Sequence, residues 1–331
     1  MRRRKFIGRI GAAAAVPSCL AVGSALAADT NVRMATGLRA TSQCMTWLGV
    51  EMGVFKKHGL DVNALKLEVG GPESVAGLLR GDWDFVQTGT APMAEAVLKG
   101  EDSVILLRNT DPHAGLFIMT RPEITGLAQL AGKRVGVLTN TEVGQTGIVT
   151  RTTLERAGVT ATYAGLGTYG NIYAALAAGT IEAGALPVDL RFPGQTKYGW
   201  NAFEAVRLSF EAPSIFGTTR RMIASNRATV LAAVRGVVET ISVFKTKREM
   251  VVPLLQRYMG IEDRKAVETL YDFYVPLFPR APRPDFGNFQ SVRDYFAEKY
   301  PAARTLRESE IADSSLIDEI ERNGFIDRLY G

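Results

Sequence analysis

One short pattern occurs twice in this chain. Leu78, Gly81 and Asp84 in LLRGDWDFV recur as Leu176, Gly179 and Glu182 in LAAGTIEAG, so that L-x-x-G-x-x-acid appears at two points 98 residues apart. In each copy the leucine belongs to a helix-like stretch, the glycine ends it, and the acid stands at the start of an apolar run that reads as a strand. Each copy has a companion upstream, VRMATG from Val32 and RVGVLTN from Arg134, an apolar run that breaks into a polar, turn-forming loop. Two ordered features repeated at nearly the same displacement predict two α/β lobes of one design. Such lobes leave a cleft between them where small ligands bind.

Strands and helices alternate along the first two thirds. Strands are predicted near 31–37, 61–68, 84–88, 103–109, 134–138, 161–166 and 182–186, with helices between most of them. From about Asn226 the texture changes, because Val230, Val234, Val237, Ile241 and Phe244 recur at helical spacing and further amphipathic helices follow, interrupted by PLFPRAPRPDFG. No low-complexity tract or long linker intervenes, so the lobes are expected to be joined by short crossings near Asp111–Ala114 and Ser209–Ser214.

The N-terminus reads as an export signal, residues 1–27. Arg2, Arg3, Arg4 and Lys5 precede an apolar stretch from Ile10 to Leu26, and Ala25-Leu26-Ala27 before Ala28 supplies the small residues of a cleavage site. Arg3-Arg4-Lys5-Phe6-Ile7 also suits twin-arginine export, and the ordinary secretory route fits comparably. Pro17 and Ser18 interrupt a segment already short for a membrane span, and Pro17 sits poorly in a lipid-attachment site ending at Cys19. The protein is therefore expected in the periplasm. The signal carries five bases and no acid, which leaves 34 bases against 34 acids in the remainder. The apparent basicity thus belongs to export, and nothing remains to suggest a nucleic-acid partner. With Cys19 removed, Cys44 stands alone, and the fold must rely on its core.

Binding chemistry is expected where strands run out into helix N-termini, since ligands of open α/β sheets lodge beyond the carboxyl ends of the strands. Gly37-Leu38-Arg39-Ala40-Thr41-Ser42-Gln43 offers a cation, hydroxyls and free amides, a set suited to a carboxylate or sulfonate, with Arg39, Thr41, Ser42 and Gln43 as the candidate residues. Gly71 is a further ligand-facing candidate. Thr88 and Thr90 flank the turn after the third strand, with Pro92 set for a helix start, and Asn140 and Thr141 serve the second lobe. Taken singly, such residues usually serve only as helix caps. Gly165-Leu166-Gly167-Thr168-Tyr169-Gly170 matches G-x-G-x-x-G, but a dinucleotide site needs an acid at the far end of the following strand, and Glu182 opens its strand. A tight turn with Tyr169 and Asn171 facing the cleft fits better. Asp189 and Arg191 lie on the segment after the next strand, where they can supply charge, with Tyr198 and Trp200 further on. His58 reads as a solvated helix-end residue, and His113 as a structural residue near a crossing.

Three segments together carry a family resemblance: Glu51-Met-Gly53-Val-Phe55-Lys-Lys-His-Gly59-Leu60-Asp61-Val62, then Leu78-x-x-Gly81-x-x-Asp84-Phe85, then Leu130-Ala-Gly132-Lys133-Arg134-Val135-Gly136-Val137. The ordered set resembles the nitrate/sulfonate/taurine family of periplasmic substrate-binding proteins of ABC transporters over roughly residues 30 to 215. The resemblance implies a type II periplasmic binding protein fold, α/β, with one lobe formed by 28–112 plus 214–331 and the other by 113–213. It also implies a hinged cleft that closes on one small molecule and hands it to a permease of the inner membrane. Arg39 and Arg191 favour an anion, a sulfonate or an aromatic or aliphatic carboxylate, with a neutral pyrimidine left open. A monomer suffices for such a shuttle. No cofactor, metal or catalytic residue is expected. The rival class is an enzyme of the same fold, a decarboxylase or a pyrimidine-forming enzyme acting on a small acidic or aromatic substrate, and a sensor using the same cleft is a third reading. The chain has no G-x-S-x-G, no H-E-x-x-H and no cysteine-rich motif of the pyrimidine synthases.

Overall fold

A computed structural model of the chain describes residues 30–110, 115–138, 145–206 and 214–331. Among them run ten strands: β1 (Thr30–Thr36), β2 (Leu60–Lys66), β3 (Phe85–Gly89), β4 (Val104–Arg108), β5 (Leu116–Thr120), β6 (Arg134–Val137), β7 (Thr162–Gly165), β8 (Ala183–Pro187), β9 (Asn201–Glu204) and β10 (Ser214–Thr218). They form two five-stranded sheets of matching design, ordered β2-β1-β3-β10-β4 and β7-β6-β8-β5-β9. In each, three parallel strands are followed by one that runs antiparallel to both its neighbours, β10 in the first sheet and β5 in the second. The fold is α/β, and the seven strands predicted from the sequence are all present. The three not predicted, β5, β9 and β10, lie next to the passages between the sheets. The chain leaves the first sheet after Arg108, enters the second at Leu116, and returns between Glu204 and Ser214.

The repeated motif does the same work in both sheets. Gly81 and Gly179 end helices Gly71–Arg80 and Tyr169–Ala177 with φ of 82° and 73°, a left-handed conformation that glycine adopts without a Cβ clash. The acid three residues later then clips the strand to its neighbour. Asp84 Oδ2 accepts from the Arg33 backbone N–H of β1 at 2.8 Å, and Glu182 Oε2 accepts from the Arg134 N–H of β6 at 3.0 Å.

The helix predicted from its apolar spacing runs Arg227–Thr246 and buries Val230, Val234, Val237, Ile241 and Phe244. It packs on helices Met45–Glu51 and Val54–Lys57, so closely that a Cβ on Gly236 would meet the Phe55 ring at 2.5 Å. Gly53, at φ 67°, divides those two short helices, and Gly59, at φ 76°, leads into β2. His58 is not solvated: its Nε2 lies 2.8 Å from Glu239 Oε2, and Lys57 Nζ donates to the other oxygen at 2.6 Å. Burial outweighs the Glu239 charge and lowers the His58 pKa.

The C-terminal helices do not all lie on the first sheet. Helix Arg264–Tyr274 packs against helix Val188–Tyr198, which follows β8, so the largest apolar core runs from Val32, Trp47 and Phe85 through Leu270 and Tyr274 to Leu186 and Val188. Trp200 is buried there in a stack with Tyr198, centroids 4.8 Å apart.

Candidate functional site

Two of the predicted turns meet, and they come from different sheets. β1 runs out through Gly37 into a single helical turn at Thr41–Gln43, after which helix Met45–Glu51 begins. Gln43 Oε1 holds this loop by accepting from the Leu38 N–H at 2.9 Å, and the Gly37 N–H donates to the Gln87 carbonyl of β3 at 2.9 Å. β8 ends at Pro187, which places Asp189 in the first turn of helix Val188–Tyr198. The Asp189 carboxylate crosses the gap. It accepts from the Thr41 N–H at 2.7 Å through Oδ1 and from the Tyr274 hydroxyl at 3.0 Å through Oδ2, and it is fully buried. Burial raises its pKa, and the bonds from Thr41 and Tyr274 pull part of that shift back. The Tyr274 hydroxyl is pushed well up by burial and by the Asp189 charge.

The anion on the Thr41 amide is therefore the protein's own. Arg39, expected to converge on that position, is exposed and turned away, with Nε 3.7 Å from Glu68 Oε2 and one guanidinium N–H on the Tyr258 carbonyl at 3.5 Å. Arg191 stacks over the Phe117 ring at 4.5 Å and donates to Gln195 Oε1 at 3.1 Å. Ser42 lies near the Tyr274 hydroxyl.

The floor of the first sheet is built around Thr88. A Cβ on Gly37 would lie 2.8 Å from Thr88 Oγ1, and one on Gly71 would lie 3.5 Å from the same atom. Glycine at both places lets the chain approach the hydroxyl closely. Gly71 opens helix Gly71–Arg80, and Thr90 is buried at the start of helix Thr90–Leu98, where Pro92 stands third rather than first. The N-cap residues of these helices are Gly70 and Gly89, which have no side chain to cap with. On the second sheet's side the Tyr169 hydroxyl lies 3.4 Å from Thr146 Oγ1. Asn171 is exposed and spends its side-chain amide on the Leu166 carbonyl at 2.8 Å, closing its own turn instead of joining the others. Asn140, Thr141 and His113 lie outside the described residues. The structure adds Tyr274 on Asp189 and Gln87 on the Gly37 loop, neither of them a candidate from the sequence, and pairs Asn109 with Ser214 through the Asn109 N–H on the Ser214 carbonyl at 2.7 Å. Asn109 and Ser214 flank the two passages between the sheets, and that position was the signal available for them.

Cys44 follows the Thr41–Gln43 turn and is buried, its thiol pushed well up by burial and then by the nearby Asp189. That is the reverse of an activated thiolate. Among the described residues no group of three His, Cys, Asp or Glu side chains is placed to hold a metal ion, and no helix is long and apolar enough to cross a membrane.

No protein-family model matches the chain, and no curated protein matches it significantly. Solved structures do. The periplasmic aliphatic sulphonate binding protein SsuA from Escherichia coli is 18% identical, with 81% of this chain and 87% of that one covered and a TM-score of 0.63. The periplasmic nitrate-binding protein NrtA from Synechocystis PCC 6803 is 13% identical, covers 89% of each chain and has a TM-score of 0.66. A cysteine-to-serine mutant of DszB in complex with biphenyl-2-sulfinic acid is 13% identical over 89% of this chain and 99% of that one, with a TM-score of 0.62. At these identities the likeness is one of fold: the chain has the periplasmic binding protein fold that sulfonate- and nitrate-binding proteins share.

Proposed function

We propose that this protein is the solute-binding component of an ABC importer, which takes up one small organic molecule in the cleft between its sheets and delivers it to a membrane permease. The observation that carries the reading is the Thr41–Asp189–Tyr274 junction, where loops at the strand ends of both sheets meet around buried polar groups. The lobes are then 28–112 plus 214–331 and 113–213, with helix Arg264–Tyr274 reaching from one to the other. Solute-binding neighbours such as SsuA and NrtA support the same role. The buried, disfavoured thiolate of Cys44 weighs against a cysteine-dependent enzyme of this fold. Residues 1–27 are read as the export signal, so the working protein is periplasmic and begins at Ala28.

Native mass spectrometry of protein purified from a periplasmic fraction tests this. The expected result is a chain starting at Ala28 with one small molecule bound and released unchanged; conversion of that molecule on incubation would show an enzyme instead.

An organic anion is the second reading. The start of helix Gly71–Arg80, whose N-cap is Gly70, lies beside Thr88 and favours it, since helix N-terminal amides attract negative charge. Arg39 and Arg191, on which the sequence expectation rested, give it little support, because both are engaged elsewhere.

A further inference from the structure

Beside the Thr41–Gln43 turn, several buried polar atoms lack any hydrogen-bond partner: Gln87 Nε2, Thr88 Oγ1, Ser214 Oγ and both polar atoms of the Asn109 side chain. They sit at the ends of three adjacent strands, with Gln87 and Thr88 on β3, Ser214 opening β10 and Asn109 just beyond β4. The Asn109 N–H donates to the Ser214 carbonyl at 2.7 Å, which sets the two residues side by side. Strand alternation puts Gln87, Ser214 and Asn109 on one face of the sheet, the face on which Gln87 Oε1 accepts from Thr46. Thr88 points to the other face, against Gly37 and Gly71; the Thr41–Gln43 turn packs against β10, which places Gln87, Ser214 and Asn109 beside the turn that carries the Asp189 contact.

Buried polar groups in folded proteins are nearly always paired, and a group of orphans at one place asks for a partner from outside the chain. Asn109 is the informative member. Turning its carboxamide over solves nothing, because one end always donates and the other always accepts, and both ends lack partners. A sulfonate, nitrate or carboxylate group offers acceptors alone. It would leave the Asn109 oxygen unpaired and bring a second negative charge into a cleft that already buries the Asp189 carboxylate. A neutral group with a donor beside an acceptor satisfies both ends at once.

Resting on the solute-binding reading above, we infer that the ligand is a neutral organic molecule presenting an amide-type edge, as in a carboxamide, a urea or a lactam, which pairs with Asn109 while Ser214 and Gln87 take its remaining polar atoms. Asn109 is then the residue that selects against organic anions.

Calorimetry on the full mature chain with matched probes tests this, using nicotinamide, nicotinate and pyridine-3-sulfonate, then benzamide, benzoate and benzenesulfonate, then uracil and orotate, together with mass-spectrometric identification of any co-purified solute. The inference expects the neutral member of at least one set to bind at least tenfold more tightly than its anionic partners, or a co-purified neutral amide. Tighter binding of an acid or sulfonate, or an anionic co-purified solute, overturns it and leaves the solute-binding reading standing. Absence of any bound solute and of any probe binding removes that reading, and the inference with it. Asn109→Leu should abolish the neutral preference and raise the melting temperature of the empty protein, because an orphaned amide is removed from a buried place. Asn109→Asp, which keeps the shape but loses the donor, should also lose the preference. Unchanged neutral affinity in both variants would overturn the assignment of Asn109.

Discussion

At the scale of single residues, type and neighbourhood in sequence say which groups can bind, and much less about which way they turn. Arg39 stands in a polar loop at a strand end, yet its guanidinium is exposed beside Glu68. An exposed pair of this kind contributes about 1 kcal/mol or less. Arg39→Ala should therefore change ligand affinity and stability by under about 1 kcal/mol each, as calorimetry and a denaturant titration would record. Thr41 and Asp189 were picked out as strand-end residues and share a hydrogen bond, while Gln43 and Thr88, picked out the same way, both lie against Gly37. Tyr274 was not legible, since its meeting with Asp189 depends on how a distant helix packs. His58 shows the same limit: the sequence gives a helix end but not Glu239, which lies 181 residues further along the chain. Its folded pKa lies below the ordinary value of 6.5, so the unfolded chain takes up the proton first. The stability associated with neutral His58 is full above pH 6.5 and is lost as the pH falls through the interval below it. Chemical denaturation of the wild type between about pH 7.5 and 5 should show this loss, and His58→Gln should flatten the profile over that interval.

At the scale of elements, the parallel strands were legible because each is bracketed by helices and turn residues, and the repeat fixed the correspondence between the two halves. β5, β9 and β10 escaped because they enter their sheets antiparallel, without the crossover helix that marks a βαβ unit. The repeat also acquires a physical reason: its acid is a clip between neighbouring strands. The two clips differ in setting. Asp84 is part-buried and also takes the Arg33 guanidinium at 3.0 Å, whereas the Glu182 bond is open to solvent. Asp84→Ala should cost about 1–3 kcal/mol, the range for leaving a buried donor unpaired, and Glu182→Ala under about 1 kcal/mol because water replaces the lost acceptor. Midpoints of urea unfolding for the two variants would show the difference, and equal losses would mean that the clips are equivalent despite their surroundings.

At the scale of the whole molecule, the two sheets are held together by an apolar core that crosses between them and by one buried carboxylate. Asp189 seats the second half on the Thr41 amide of the first, and Tyr274 anchors it from the C-terminal helices. Under the proposed solute-binding role, lobes that part to admit a solute must break and remake this contact. Hydrogen bonds to a charged group contribute about 1.5–3 kcal/mol net, and about 1.4 kcal/mol is a factor of ten in an equilibrium. Asp189→Ala should therefore shift the balance toward separated lobes roughly tenfold or more. Cys44 offers a built-in probe of that shift, because it is buried at this junction with its thiol pKa raised partly by Asp189. Alkylation by N-ethylmaleimide should be slow in the wild-type chain and faster by at least about tenfold in Asp189→Ala. Asp189→Asn separates the two ways a carboxylate can act here. It keeps an acceptor for the Thr41 N–H but removes the charge, so if hydrogen bonding holds the lobes its rate should stay near the wild type. A rate as fast as that of Asp189→Ala would show instead that the closed arrangement depends on the charge.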